Sequence, residues 1–249
     1  MSIRFRRSLL VAGVPLLAGL PLASSASAAS SSPPVTVRVE GPTRTLLPAR
    51  TVTAPTSGWV RKGGTPTGTC PADSAAGALR AATRGRWNGT FFKGLGIDVT
   101  TLLGMKLSFS RGSYWGFYVD GRVASRGICE TKLVRGESLL FAPVPAKGRT
   151  PMPILVHAPR TVVAGRAFEV RAFVHVGAGS TTRPAAHPRV RWTIAGRTQG
   201  RRARLIESSS GRRGVLRLRL TGVASGRLML VVSARGEIRS AAQAIRVVG

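Results

Sequence analysis

Ser113-Tyr114-Trp115-Gly116-Phe117-Tyr118-Val119-Asp120-Gly121 is an aromatic run that ends on a turn pair. Successive side chains of an extended strand point to opposite sides, so Tyr114, Gly116 and Tyr118 share one face and Trp115, Phe117 and Val119 the other. Asp120-Gly121 then supplies a two-residue hairpin turn, because type I′ geometry needs positive φ at both positions. One face of such a strand must be core. Trp115, Phe117 and Val119, with Asp120 and Gly121, are expected to be structural, packed against a helix. Tyr114 and Tyr118 carry hydroxyls suited to a wet edge and are the candidate ligand-binding residues, a stacking platform for a flat ligand or sugar.

The chain has 249 residues and is 43% apolar, enough for two domains with buried cores. Arg4, Arg6 and Arg7 precede an apolar run over 9–22 and the small residues Ala26-Ser27-Ala28. This is the three-part layout of a secretory signal peptide, 1–28, cleaved after Ala28. Pro15 and Pro21 interrupt the run, which is shorter than the roughly 20 apolar residues that a spanning helix needs. The expectation is a secreted protein associated with the cell envelope, with no integral membrane span after cleavage. In an oxidising compartment the two cysteines pair by default, so a Cys70–Cys129 disulfide is expected. No metal site is expected, since His157, His175 and His187 all lie in the other half of the chain.

Lys and Arg outnumber Asp and Glu 38 to 9, for a net charge of +29. Over 35–145 the counts are 15 and 6, and over 146–249 they are 20 and 3. Such a surplus draws a protein to polyanions: wall polymers, anionic membranes or nucleic acid. A GC-biased genome accounts equally for 33 Arg against 5 Lys, and the arginines are scattered rather than gathered in one stripe, so no specific nucleic-acid site is read.

A Ser/Pro leader over 29–34 opens into a first domain over 35–145. Val35, Val37 and Val39 alternate with polar residues as a half-buried strand, and 46–53 is a second strand that Pro48 confines to an edge. The glycine-rich segment 58–68 is a loop. Cys70-Pro71-Ala72-Asp73 opens a helix over 73–83 whose narrow stripe is Ala75, Ala76, Leu79 and Ala82. Trp87, Phe91, Phe92, Leu95 and Ile97 follow among glycines without a period. A strand or strand entry is expected over 102–109, and strands over 122–129 as the hairpin partner of the aromatic run and over 138–144 after Arg135-Gly136-Glu137.

The order strand, strand, helix, then Tyr-Trp-Gly-Phe-Tyr-Val-Asp-Gly at 114–121 and Arg-Gly-Glu-Ser-Leu-Leu-Phe at 135–141, resembles the transcobalamin C-terminal-like family, DUF4430. The resemblance covers about 35–145 and implies a β-grasp-like mixed sheet crossed by one helix. In animal cobalamin carriers the corresponding domain closes over the corrin opposite a large helical domain. The resemblance therefore admits cobalamin, although this chain has no helical domain and its residues by themselves point to no cofactor.

Residues 146–152 are a linker by composition, and 153–249 reads as all-β. Ile154, Val156 and Ala158 alternate, as do Phe168 to Val176, Val190 to Ile194, Leu216 to Leu220, Leu228 to Val232 and Ala244 to Val248. Short strands at this spacing predict an antiparallel β-sandwich, similar to the Ig-like modules of bacterial secreted proteins, with a long exposed loop over 177–188. The fold class expected is thus mainly β (α+β).

No nucleophile elbow, zinc-protease helix or phosphate loop is present, and the nine carboxylates are well separated in sequence. No catalytic residue is read, and the chain is not expected to be an enzyme. The functional expectation is a secreted bacterial binding or interaction protein that takes a small ligand through its first domain. The alternative is a basic envelope protein retained by anionic wall polymers.

Overall fold

The structure is a computed structural model that describes residues 32–62, 68–177, 179–198, 203–209 and 212–249. The expected signal peptide and residues 29–31 of the leader lie outside the described residues. The first half holds β1 (Val35–Glu40), β2 (Thr45–Val52), β3 (Trp59–Lys62), β4 (Gly68–Pro71), helix α1 (Ala75–Thr83), β5 (Trp87–Phe92), β6 (Gly96–Leu102), β7 (Met105–Lys106), β8 (Ser113–Val119), β9 (Arg122–Val123) and β10 (Ser138–Pro145). The second half holds β11 (Leu155–His157), β12 (Thr161–Val163), β13 (Ala167–His175), β14 (Thr182–Pro184), β15 (Arg189–Thr198), β16 (Arg204–Ser209), β17 (Val215–Thr221), β18 (Val223–Ser233) and β19 (Gln243–Val248). The fold is mainly β, of the α+β kind, as expected.

Alternation in β1, β8 and β10 creates a sheet with two apolar faces. Its order is β2-β1-β10-β8-β9, parallel between β1 and β10 and antiparallel elsewhere. Pro48 sits on the edge strand β2, where its missing N–H costs no ladder bond. One face presents Val35, Val37, Val39, Leu139, Phe141 and Trp115 to the alanine stripe of α1, with Phe117 and Val119 partly buried beside them. Small side chains let the helix lie close to the sheet. Gly77 serves a different contact, because a Cβ there would stand 1.8 Å from the carbonyl oxygen of Ala72 in the segment that leads into the helix.

Several local expectations are corrected. The helix begins at Ala75 rather than Asp73, and Cys70 and Pro71 belong to β4, paired with Val60 and Trp59. The segment expected as a loop over 58–68 therefore contains β3, while 63–67 lie outside the described residues. No acidic side chain serves the first turn of α1. Its amides at Ala75 and Ala76 instead donate to the carbonyls of Thr131 and Ile128, at 2.9 and 3.1 Å. The aperiodic stretch 87–97 is a hairpin of β5 and β6, in which the glycines make the turn and Gly89 admits Asp98 and Ile97 closely. The partner of the aromatic strand is two residues long, not eight, and 102–109 yields only the short β7 and a 3-10 turn at Phe109–Arg111.

The second half is a sandwich of one sheet ordered β11-β13-β17-β16, with β14 added to β13, and another ordered β12-β19-β18-β15. It is antiparallel as expected, except that β12 runs parallel to β19. Val170, Ala172 and Val174, then Leu216, Leu218 and Leu220, then Leu228, Leu230 and Val232 supply its interior by simple alternation. The supposed loop over 177–188 contains β14, with Ala185 and Pro188 buried.

The second face of the first sheet is not free. Tyr118, Leu140, Ala142 and Val144 share one apolar core with the sandwich residues, and Met152 and Ile154 of the connecting segment are buried in it. The composition-based linker over 146–152 is thus partly internal. Glu40, 1% exposed, accepts from Arg38 at 3.1 Å, from Thr45 at 2.9 Å and from Arg239 at 2.6 Å, so a polar strand position of the first half binds an arginine of the second. Burial pushes the Arg38 guanidinium below its ordinary pKa, and Glu40 opposes that shift. Glu237 is the matching buried acid from the other side, accepting from Arg149, Arg183 and the Met152 amide.

Candidate ligand groove

The hairpin turn that ends β8 forms as its residues demand, with φ of +48° at Asp120 and +76° at Gly121. Asp120 is nonetheless not core. It is exposed, and its carboxylate accepts from the Ser138 amide at 2.8 Å, which pins the turn to the start of β10. Gly121 is buried, and a Cβ there would meet Leu155 at 2.9 Å.

β9 pairs only with Tyr118 and Val119, and one further bond joins the Ala124 amide to the Phe117 carbonyl. Ser113 makes an isolated bridge to Ser108, and from Tyr114 to Gly116 no strand among the described residues pairs with the outer side of the aromatic strand. The chain leaves the sheet edge after Ala124 because Cys129 is tied by a disulfide to Cys70 in β4, and because Ile128 and Thr131 are held at the start of α1. The gap between this departing loop, β8 and the β5–β6 hairpin is a groove of about 510 Å³.

Trp115, Phe117, Phe141 and Ile128 line it, with Phe92 and Leu95 at the tip of the hairpin and Tyr114 at its other end. Phe117 stacks on Phe141 with ring centres 5.0 Å apart, and Tyr114 tilts against Phe109 at 6.0 Å. Cys129 backs the wall, its Sγ accepting from the Ile97 amide at 3.2 Å. Gly96 is required there, since at φ of +82° a Cβ would lie 2.7 Å from that sulfur. Leu95 is 73% exposed, and Phe92 and Val123 are exposed as well, so large apolar side chains gather around the mouth. Two charged groups, Asp98 and Arg126, line the groove, and no ion pair joins them. Partial burial raises the Asp98 carboxyl above the ordinary carboxylate range.

The structure separates the two tyrosines that the sequence places together. Tyr114 is half-buried at the groove. Tyr118 borders it but is only 1% exposed, and its hydroxyl donates to the Pro151 carbonyl at 2.8 Å. Burial, with Tyr114 and Glu237 nearby, holds that phenol well above its usual pKa. Tyr118 is therefore a junction residue and not an open ligand surface. Asp98, Phe92, Leu95 and Arg126 are absent from the sequence-based candidates. Their signal was an apolar pair, Phe92 and Leu95, flanking a glycine turn, which has no regular period.

Among the described residues no group of three His, Cys, Asp or Glu is placed to hold a metal ion. His157 lines a separate, polar cavity of about 510 Å³ in the sandwich with Arg160, Glu169 and Arg171. His175 is buried and His187 is exposed in a turn. Among the described residues no helix is long and apolar enough to cross a membrane.

No family model matches the chain, and no curated protein matches it. Among solved structures the chain is similar to one from Ruminococcus gnavus, provisionally described as a metal-binding protein. The two are 13% identical, with a TM-score of 0.33 over 45% of this chain and 97% of that one.

Proposed function

We propose that this chain is a secreted, non-catalytic binding protein that takes a small, flat, largely apolar ligand in the groove beside β8. The observation that carries this reading is the gathering of exposed Phe92, Leu95 and Val123 around an aromatic groove with two unpaired charges. Contiguous exposed apolar surface of this kind marks binding sites, and a few fixed polar groups within it orient a ligand. Tyr114 and Phe117 would offer ring faces, Asp98 an acceptor or, when protonated, a donor, and Arg126 a partner for an acidic substituent.

The likeness of 114–121 and 135–141 to the DUF4430 family agrees with a binding role. Among the described residues the lining of the groove contains no histidine, and its volume of about 510 Å³ suits a single ring system better than a corrinoid.

The protein purified from its native host and denatured should release a small aromatic compound detectable by absorbance and mass. The fluorescent probe anilinonaphthalene sulfonate should bind the folded protein, and its affinity should fall on L95S or F92S substitution. Equal probe binding by both variants and wild type would remove the groove as the site, and recovery of a corrinoid would overturn the choice of ligand class.

A further inference from the structure

The outer face of the sheet β12-β19-β18-β15 carries Arg189 and Arg191 on β15, Arg227 on β18 and Arg246 on β19. All four side chains are exposed, whereas the alternate positions Leu228, Leu230, Val232, Ile245 and Val247 are buried in the sandwich. None of the four strands contains an acidic residue. Of the three carboxylates of the second half, Glu207 belongs to the opposite sheet and Glu237 is buried beneath Arg149 and Arg183, while Glu169, also on the opposite sheet, lines a cavity at the β19 edge beside Ala244 and is paired with Arg171 and Arg217. Among the described residues these four arginines make no ion pair and no side-chain hydrogen bond.

Arg227 and Arg246 stand directly opposite each other across two neighbouring strands. Like charges in that position destabilise a sheet, so the pair is unfavourable for the fold taken alone. Arg191 pairs with Val231, four positions along β18 from Arg227, which places the two arginine groups about 13 Å apart at the usual strand rise. Thr193, Met229 and Ala244 lie between them and present no bulky obstacle. A single phosphate cannot reach both groups, but an extended chain of phosphates can.

We infer that this face is a docking surface for a linear, phosphate-bearing polymer, distinct from the groove and independent of what the groove binds. Guanidinium groups meet phosphate oxygens in two parallel bonds, and a phosphate polymer carries a negative charge at every repeat, so one extended chain supplies both arginine groups. The face is formed by strands alone, with no helix among its elements to enter a duplex groove, and among the described residues Val163 at one edge is the only exposed large apolar residue of these strands, too little to insert into a bilayer.

The test is binding of long-chain inorganic polyphosphate to the full chain, with orthophosphate, duplex DNA and phosphatidylglycerol vesicles in parallel. Polyphosphate should bind with an affinity that falls steeply with salt, and the double variant R227Q/R246Q should weaken it by at least about tenfold at low salt, with a shallower salt slope. The control R86Q/R135Q removes the same charge from exposed sites in the first half. Equal loss in the control would reduce the attraction to diffuse net charge and overturn the proposal, as would a dependence on Arg227 and Arg246 seen with vesicles or DNA but not with polyphosphate. Melting curves of both variants exclude unfolding as the cause.

Discussion

The Tyr118 hydroxyl donates to the carbonyl oxygen of Pro151 at 2.8 Å, joining the aromatic strand to the segment that leads into the sandwich. Beside it, a Cβ on Gly116 would lie 2.4 Å from Val144. The Tyr-x-Gly-x-Tyr spacing is thus matched to a buried junction, with a ring at one position and no side chain at the next.

Replacing Tyr118 by Phe should cost about 1 to 3 kcal/mol, because it leaves the carbonyl unpartnered in a partly buried place. Its phenol is held above its ordinary pKa in the folded state, so the stability that Tyr118 contributes is fully present below about pH 10 and is lost as pH rises beyond that value. Urea unfolding of wild type and Y118F across the alkaline range should therefore converge. Parallel pH profiles would contradict the burial of this hydroxyl.

Glu40 neutralises Arg38 and Arg239 together, and both arginines are largely withdrawn from water. A Glu40→Gln change keeps the shape but leaves the cations uncompensated, at an expected cost of about 3 to 5 kcal/mol. Equilibrium denaturation would show it. A loss below one kcal/mol would mean that the charges rehydrate by opening the junction, which proteolysis between residues 145 and 153 would then reveal.

The Cys70–Cys129 bridge closes a separation of 59 residues, for which chain entropy predicts about 4 kcal/mol of stabilisation. Because Cys129 also backs the groove and its loop holds the start of α1, the C70A/C129A variant should weaken anilinonaphthalene sulfonate binding even under conditions where it stays folded. Non-reducing mass spectrometry of the native protein should show no free thiol.

Asp98 has its folded pKa raised by partial burial, the reverse of the usual carboxylate case. Its ionisation disfavours the folded state, so stability declines as pH rises through the ordinary carboxylate range. Asp98→Asn should thus be more stable than wild type at neutral pH and indistinguishable from it below about pH 3. Equal stability at both pH values would place Asp98 fully in water.

Much of the fold was legible before any coordinates. Alternation identified β1, β10 and most of the sandwich strands, Asp120-Gly121 marked its turn, and the alanine stripe marked α1. What escaped was set by distant partners. β9 is short because the disulfide draws the following loop from the sheet, and the β5–β6 hairpin has an apolar tip because a groove, not a core, lies beneath it. Tyr118 was assigned to a ligand face because period-two patterning distinguishes faces without saying what covers each one.

The sequence by itself determined the strand faces, the helix, the cysteine pairing and the excess of positive charge, since these follow from side-chain alternation, turn chemistry and composition. Only the tertiary structure decided that both faces of the first sheet are covered, that Glu40 meets Arg239, and that arginines as far apart as 189 and 246 share one sheet whose strands carry no carboxylate. Strand order brings such residues together, and strand order depends on long-range pairing that no local pattern encodes.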